Sequence, residues 1–225
     1  NFSGAVFVCT VNFTGSRWEH EVDFSDCIFM RDALFLCSTF AGTANFAHSS
    51  YRALADFSES LYQDAAYFGG CIWGGAVNFS GCTFRAGAYF LGCCYGADTV
   101  FTGCFFAGTV VMMYSAYRGA FTATGCTFAG DADLSSSAYY GPASLRGCVF
   151  LADAWLGGGS WGGRTVFSGS VFEGAADFSG AAYLADVIFT DAVFVNCAPS
   201  LRGCVFSPHS VQEFTRTPEQ EHPIV

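Results

Sequence analysis

The sequence predicts an all-β solenoid, in which short strands coil around one axis to form a rod. Large apolar residues, most of them aromatic, recur along nearly the whole chain at alternating intervals of five and six residues. Alanine, serine, cysteine, glycine, valine or threonine usually stands two positions before each of them. Serine or threonine, followed by glycine, is common after every second one. A repeat this regular is typical of proteins built from stacked structural units.

The repeat is eleven residues long and carries two large residues, which we call centres. The first series of centres recurs every eleven residues over the range Phe2–Phe189, and the second over the range Phe7–Phe194. One added residue near Pro199 shifts the pattern, which resumes at Leu201 and Phe206. An α-helix is excluded, because this spacing gives no face with a 3.6-residue period. Frequent glycines would also destabilise a helix by about 1 kcal/mol each.

Each centre is expected to point into the rod, together with the small residue two positions before it. The glycine that follows suits a tight corner, because it adopts a positive φ without strain. At Ala123 the centre is small, but Phe121 stands where a small residue is usual. This exchange of large and small roughly conserves core volume, which supports the inward assignment.

The segment 176–180, Ala-Asp-Phe-Ser-Gly, resembles the pentapeptide repeat, and so does Val-Asn-Phe-Ser-Gly at 77–81. The resemblance covers residues 1–206 and implies a right-handed quadrilateral β-helix with one repeat on each side. The extra residue in every second repeat lengthens a coil to 22 residues, so the chain makes about nine coils. At the usual strand spacing the rod is roughly 45 Å long. Residues 207–225 are expected to form a short irregular tail.

Composition and charge exclude several classes of protein. The chain is 52% apolar and 12% charged, which argues against intrinsic disorder. It has no lysine, and its nine arginines and 19 acidic residues give a net charge of −10. An acidic chain lacks the basic footprint of a nucleic-acid binder, so no direct nucleic-acid binding is expected. The uncharged run 99–117 has the length of a membrane span, but its repeat pattern favours the solenoid.

Eight of the twelve cysteines occupy the small position two residues before a second-series centre. These are Cys27, Cys71, Cys82, Cys93, Cys104, Cys126, Cys148 and Cys204. They interchange with serine and alanine along the chain, so they are interpreted as small buried residues rather than disulfides. Buried unpaired thiols weakly favour a reducing compartment.

Neither a metal site, a cofactor site nor an active site is expected. The chain has four histidines and no Cys-x-x-Cys pair, the spacing typical of zinc sites. It has no lysine nucleophile, and its histidines, at 20, 48, 209 and 222, have no partner at a telling spacing. We therefore expect a protein that is not an enzyme.

Residues next to the centres are expected to face solvent, and one side of the rod is apolar in its middle. The candidate interface consists of Tyr67, Tyr89, Leu91, Val111, Met113 and Trp155. Exposed apolar patches often mark interaction sites. Aromatic and β-branched residues also suit any sheet surface, so both interpretations stay open.

The function predicted from these features is a protein–protein interaction scaffold, as a single rod or as a subunit of a larger assembly. The alternative comes from the family resemblance: some pentapeptide-repeat proteins mimic DNA and bind type II topoisomerases. Asp23, Asp133 and Asp177 share the apolar side, but they do not form a continuous acidic stripe. The first coil, with Phe2 and Phe7, has no cap, so stacking or dimerisation through this end is a further expectation.

Overall fold

The computed structural model describes residues 1–208 and 212–214, which form a four-sided parallel solenoid. These described residues contain 37 short strands and no helix. Partner strands lie 22 residues apart along the chain, as in the pairing of Phe7 with Phe29 and of Tyr67 with Tyr89. The predicted quadrilateral β-solenoid of about nine coils is therefore confirmed.

The chain passes through sheets A, B, C and D in that order during each coil. Sheet A contains Val6–Phe7, Ile28–Phe29, Ser50–Tyr51, Ile72–Trp73, Cys94–Tyr95, Ala116–Tyr117, Ala138–Tyr139, Ser160–Trp161, Ala182–Tyr183 and Val205–Phe206. Sheet B contains Val11–Asn12, Ala33–Leu34, Ala55–Asp56, Val77–Asn78, Thr99–Val100, Phe121–Thr122, Ala143–Ser144, Thr165–Val166, Val187–Phe189 and Gln212–Phe214.

Sheets C and D complete the other two sides of the rod. Sheet C contains Arg17–Trp18, Thr39–Phe40, Leu61–Tyr62, Thr83–Phe84, Phe105–Phe106, Thr127–Phe128, Val149–Phe150, Val171–Phe172 and Val193–Phe194. Sheet D contains Val22–Asp23, Ala44–Asn45, Ala66–Tyr67, Ala88–Tyr89, Val110–Val111, Ala132–Asp133, Ala154–Trp155 and Ala176–Asp177.

The centres point into the rod, as predicted. Phe79 and Phe84 are fully buried, and so are the small residues that precede them, Val77 and Cys82. Successive residues of a strand point to opposite faces, so the residue beside each inward one is outward. Phe121 is also buried, which confirms the inferred exchange with Ala123.

The corners after sheets B and D are tight turns with a left-handed residue. Gly81 and Gly92, for example, have φ values of 69° and 67°. In the described residues, positive φ values occur only at the corners after these two sheets. The corners after sheets A and C contain no residue with positive φ, so the two kinds of corner alternate along the described chain.

The C-terminal end departs from the strict repeat. The residue added near Pro199 shifts the pairing, so that Tyr183 lies beside Phe206. Within the predicted tail, 207–225, Gln212–Phe214 adds a strand beside Val187–Phe189. Positions 209–211 and 215–225 of the predicted tail lie outside the described residues.

At the opposite end, the first coil is incompletely covered. Phe2, Phe7, Phe13 and Trp18 pack against the core but are only half-buried. Stacking or dimerisation through this end stays a prediction.

Candidate interaction surface

The outward residues of sheet D include a stacked aromatic pair, in which Tyr67 is 39% exposed and Tyr89 is half-buried. From one coil to the next they are Asp23, Asn45, Tyr67, Tyr89, Val111, Asp133, Trp155 and Asp177. The rings of Tyr67 and Tyr89 stack with their centroids 5.0 Å apart and their planes 10° from parallel. Val111 lies in register with Tyr89 on the next coil. The surface is therefore apolar without interruption across three coils.

Leu91 and Met113 extend this surface onto the adjoining corner, where they occupy equivalent positions of successive coils. Leu91 packs over Gly69, where an added Cβ would lie 3.1 Å from the Leu91 side chain. Gly87 likewise leaves room for the Tyr89 ring, because a Cβ there would clash with the ring. The structure thus brings five predicted residues together into the apolar patch, defined as Tyr67, Tyr89, Leu91, Val111 and Met113.

Trp155, the sixth candidate residue, lies apart from the apolar patch. Asp133 separates it from Val111 along sheet D, since it pairs in register with both. The Trp155 side chain is 37% exposed. It is flanked on its other side by Asp177. Trp155 therefore belongs to a different local surface, with acidic residues on both sides.

Tyr114 is a member of the exposed surface that the sequence analysis missed. It follows Met113, is 64% exposed and has a φ of 56°. The equivalent residue one coil earlier is Gly92, which adopts this conformation without strain. A bulky residue with positive φ is an outlier that often accompanies function. The sequence feature that could have identified Tyr114 is an aromatic residue at a position where the repeat favours glycine.

The acidic and amide residues of sheet D have a structural role. In Asp23, Asp133 and Asp177, Oδ1 accepts a hydrogen bond from the backbone N–H two residues later, at 2.9, 3.0 and 2.8 Å. Asn45 accepts an equivalent bond at 3.1 Å. These bonds stabilise the corner turns. Where the apolar patch replaces Asp or Asn, the turn loses an acceptor, so turn stability alone does not account for the patch.

Partial burial of the Asp177 carboxylate raises its pKa, but hydrogen bonds from Ser179 and Ser200 outweigh this and hold the pKa below its ordinary value. Asp177 is therefore ionised at neutral pH. The described residues contain one ion pair, between Arg17 and Glu19, so no described cation neutralises Asp133 or Asp177.

The buried cysteines form hydrogen-bonded columns inside the rod. Cys82 and Cys104 donate through Sγ to the carbonyl oxygens of Phe57 and Phe79, both at 3.0 Å. Ser60, in the same column, donates equivalently to a carbonyl one coil earlier. Burial raises the pKa of the Cys82 thiol to about 12, so it stays protonated at neutral pH. All twelve cysteines are free thiols, which assigns these columns to packing and backbone hydrogen bonding.

Two further features bear on the kind of site present. Among the described residues, no group of three or more histidine, cysteine or acidic side chains could hold a metal ion. Nor does this described part of the chain include a helix long and apolar enough to cross a membrane.

Comparison with known proteins agrees with the repeat architecture. Residues 63–104 match the family model described as pentapeptide repeats (9 copies). A solved structure of trypsin-treated QnrB1, a plasmid-mediated fluoroquinolone resistance protein, is similar at 14% identity, with 92% of this chain and 91% of that chain covered and a TM-score of 0.23. No curated protein matches the chain. Residues 63–104 therefore match pentapeptide repeats, and the four-sided parallel solenoid continues the same strand spacing on both sides of that segment.

Proposed function

We propose that this rod is a protein-binding scaffold whose partner docks on the apolar patch. The observation that carries the proposal is the outward-facing Tyr67–Tyr89 stack, which continues into Val111 on the next coil. Aromatic side chains and methionine are enriched at protein interfaces and supply much of the binding energy there. Tyr114, exposed at the edge of the apolar patch, is proposed as a further contact.

The rigid backbone supports this proposal. Every backbone strand of sheet D from Val22 to Asp177 pairs with a neighbouring coil, so outward side chains stand at fixed spacings. A partner that matches those spacings loses little conformational entropy on the rod's side of the interface. No catalytic step is required of such a protein.

Mimicry of DNA is the second candidate, and the net charge of −10 is the observation that favours it. Its weakness lies in the distribution of the charge on sheet D. Tyr67, Tyr89 and Val111 interrupt the acidic residues for three consecutive coils. The sheet D carboxylates also accept turn hydrogen bonds, which gives them a role in the fold itself.

The test is capture of proteins from a cell extract by the immobilised chain, followed by binding of the purified partner to variants. Tyr89→Asp should abolish binding, because it places a charge in the apolar patch. Tyr140→Asp is the matched control, since Tyr140 is a 65% exposed tyrosine outside the apolar patch. Binding by apolar burial should persist between about 0.05 M and about 0.5 M salt.

Equal binding by the two tyrosine variants would overturn the docking site. Recovery of a type II topoisomerase that is released at high salt and still binds Tyr89→Asp would replace the scaffold proposal by mimicry, because exposed charges are screened by salt.

A further inference from the structure

A shallow groove of about 420 Å³ lies beside Trp155, at the edge of sheet D and the corner that follows. Its lining includes Asp133, Trp155, Gly157, Gly158 and Asp177. It lies one coil beyond the apolar patch, because Asp133 comes between Val111 and Trp155. The groove is therefore a surface feature separate from the apolar patch.

The groove exists because one corner lacks side chains. Gly157 and Gly158 stand where the preceding coil has Ser135 and Ser136. The corner at 157–158 is also a bend, whereas the corners at 135–136 and 179–180 are turns. At 179–180 the Ala181 N–H donates to the Phe178 carbonyl at 3.2 Å. This departure leaves the Trp155 side chain uncovered on the corner side.

Two unneutralised carboxylates flank the exposed indole. Asp133 and Asp177 lie in register with Trp155, one coil on either side. Each accepts its turn hydrogen bond at Oδ1, at 3.0 and 2.8 Å, and Asp177 also accepts from the Ser179 and Ser200 side chains. A carboxylate has about four acceptor sites, so both groups keep the capacity to accept a further hydrogen bond from a ligand. The charges in the groove lining are thus both negative, and they border an aromatic face.

We propose that this groove binds an arginine side chain from an extended basic segment of a partner protein. A guanidinium is flat, stacks on an indole and pairs with a carboxylate through two parallel hydrogen bonds. Lysine offers a point charge without the stacking plane, so it should bind less well. A chain with a net charge of −10 also attracts a basic segment over longer distances.

The spacing of the carboxylates specifies the ligand further. Asp133 and Asp177 are two strand spacings apart, which is about 10 Å. Alternate residues of an extended peptide lie about 7 Å apart on one face. An arginine over Trp155 that pairs with one aspartate therefore places a basic residue two positions away within reach of the other. The preferred sequence has the form Arg-x-Arg.

The experiment uses the full chain and a dye-labelled peptide, Gly-Arg-Gly-Arg-Gly, with fluorescence anisotropy as the readout. A peptide with glutamine in place of both arginines is the neutral comparison, and one with lysines tests the preference for guanidinium. We expect the arginine peptide to bind, the lysine peptide to bind more weakly and the glutamine peptide not to bind detectably. Binding should weaken as salt is raised.

Variants at outward positions identify the site. Asp133→Asn with Asp177→Asn should weaken binding about tenfold or more, and Trp155→Ala about fivefold. Trp155→Phe should retain most of the affinity, because it keeps an aromatic face. The matched controls should bind as the parent does. They are Asp56→Asn on sheet B combined with Asp98→Asn at the corner before sheet B, and Tyr140→Ala elsewhere on the surface.

Tyr89→Asp should leave peptide binding intact, so failure of the apolar patch and failure of this groove are distinguishable. Equal affinity for the arginine and glutamine peptides would overturn the proposal, and so would unchanged binding by Trp155→Ala. If a neutral chitin oligosaccharide moves the Trp155 indole resonance in NMR spectra while the arginine peptide does not, the groove binds sugar instead.

Discussion

The core of residues 24–101 and the core of residues 112–156 have the same backbone but different packing. In the first, every first-series centre is phenylalanine. Phe79 stacks on Phe57 and Phe101 at 5.0 and 4.9 Å, and meets Phe68 and Phe90 edge-on at 5.0 and 5.2 Å. These rings form two stacked columns joined by edge-to-face contacts.

In the second region, no first-series centre is aromatic. The centres there are Met112, Ala123, Leu134, Leu145 and Leu156, all buried. Phe121, two positions before Ala123, adds a ring beside the second-series columns, with its centroid 4.8 Å from Tyr117 and 5.3 Å from Tyr139. The strand register does not change, since Phe121 still pairs with Ala143, 22 residues later.

The difference shows which requirement the coil imposes. Aromatic stacking beneath sheets B and D is dispensable, whereas filled volume is not. The second-series columns continue through both regions, as the stacked pairs Tyr117–Tyr139 and Phe128–Phe150 show, at 4.7 and 4.6 Å. Two continuous columns therefore keep the coil dimensions while the other two change composition.

The largest effect is expected at Phe79, whose ring has five aromatic neighbours. Phe79→Ala should lower the free energy of unfolding by about 3–5 kcal/mol, measured by urea denaturation. The outward control Asn78→Ala removes a turn hydrogen bond with Ser80 and should lower it by about 1 kcal/mol or less. Equal, small losses would show that the inward register is wrong.

A smaller loss is expected in the aliphatic region. Leu145→Ala should lower the free energy of unfolding by about 2–3 kcal/mol, because it removes fewer contacting atoms than Phe79→Ala. Its half-buried outward neighbour provides the control Ser144→Ala, with little expected change. If Leu145→Ala were the more damaging of the two core variants, edge-to-face contacts would add nothing to the aromatic region.

The ring columns also contain a polar group that should be removable. Tyr62 stacks between Phe40 and Phe84 at 4.8 and 4.6 Å, and its buried hydroxyl has no hydrogen-bond partner among the described residues. Tyr62→Phe should therefore raise the free energy of unfolding by about 1 kcal/mol. A lower melting temperature for this variant would reveal that the hydroxyl has a partner.

The smallest effect is expected in the thiol column. Cys104→Ser should change the free energy of unfolding by less than about 0.5 kcal/mol, because a hydroxyl can donate to the Phe79 carbonyl as Ser60 does to Phe35. Cys104→Ala removes that donor and should be more destabilising. The reverse order, measured by thermal denaturation, would refute the hydrogen-bonding role.

The eleven-residue repeat predicted the solenoid fold. It also predicted which residues point inward and which point outward, because the same repeat applies to almost the whole chain. It did not reveal Tyr114, whose exposure depends on a turn conformation that the repeat normally assigns to glycine. The bend at Gly157–Gly158 was missed since the spacing of the centres does not change there. The strand Gln212–Phe214 could not be predicted, because it does not follow the regular spacing of the centres.

The central claim is that each coil requires a fixed inward volume, whichever of the two inward positions supplies it. Exchange of Phe121 and Ala123 tests this most directly, with unfolding free energies measured for both single variants and the double variant. Phe121→Ala leaves a cavity and should lower the free energy of unfolding by about 3–5 kcal/mol. Ala123→Phe overfills the core and should lower it by about 1–3 kcal/mol. The double variant restores the usual repeat and should lie within about 1 kcal/mol of the parent. A double variant as unstable as the sum of the two singles would contradict the claim.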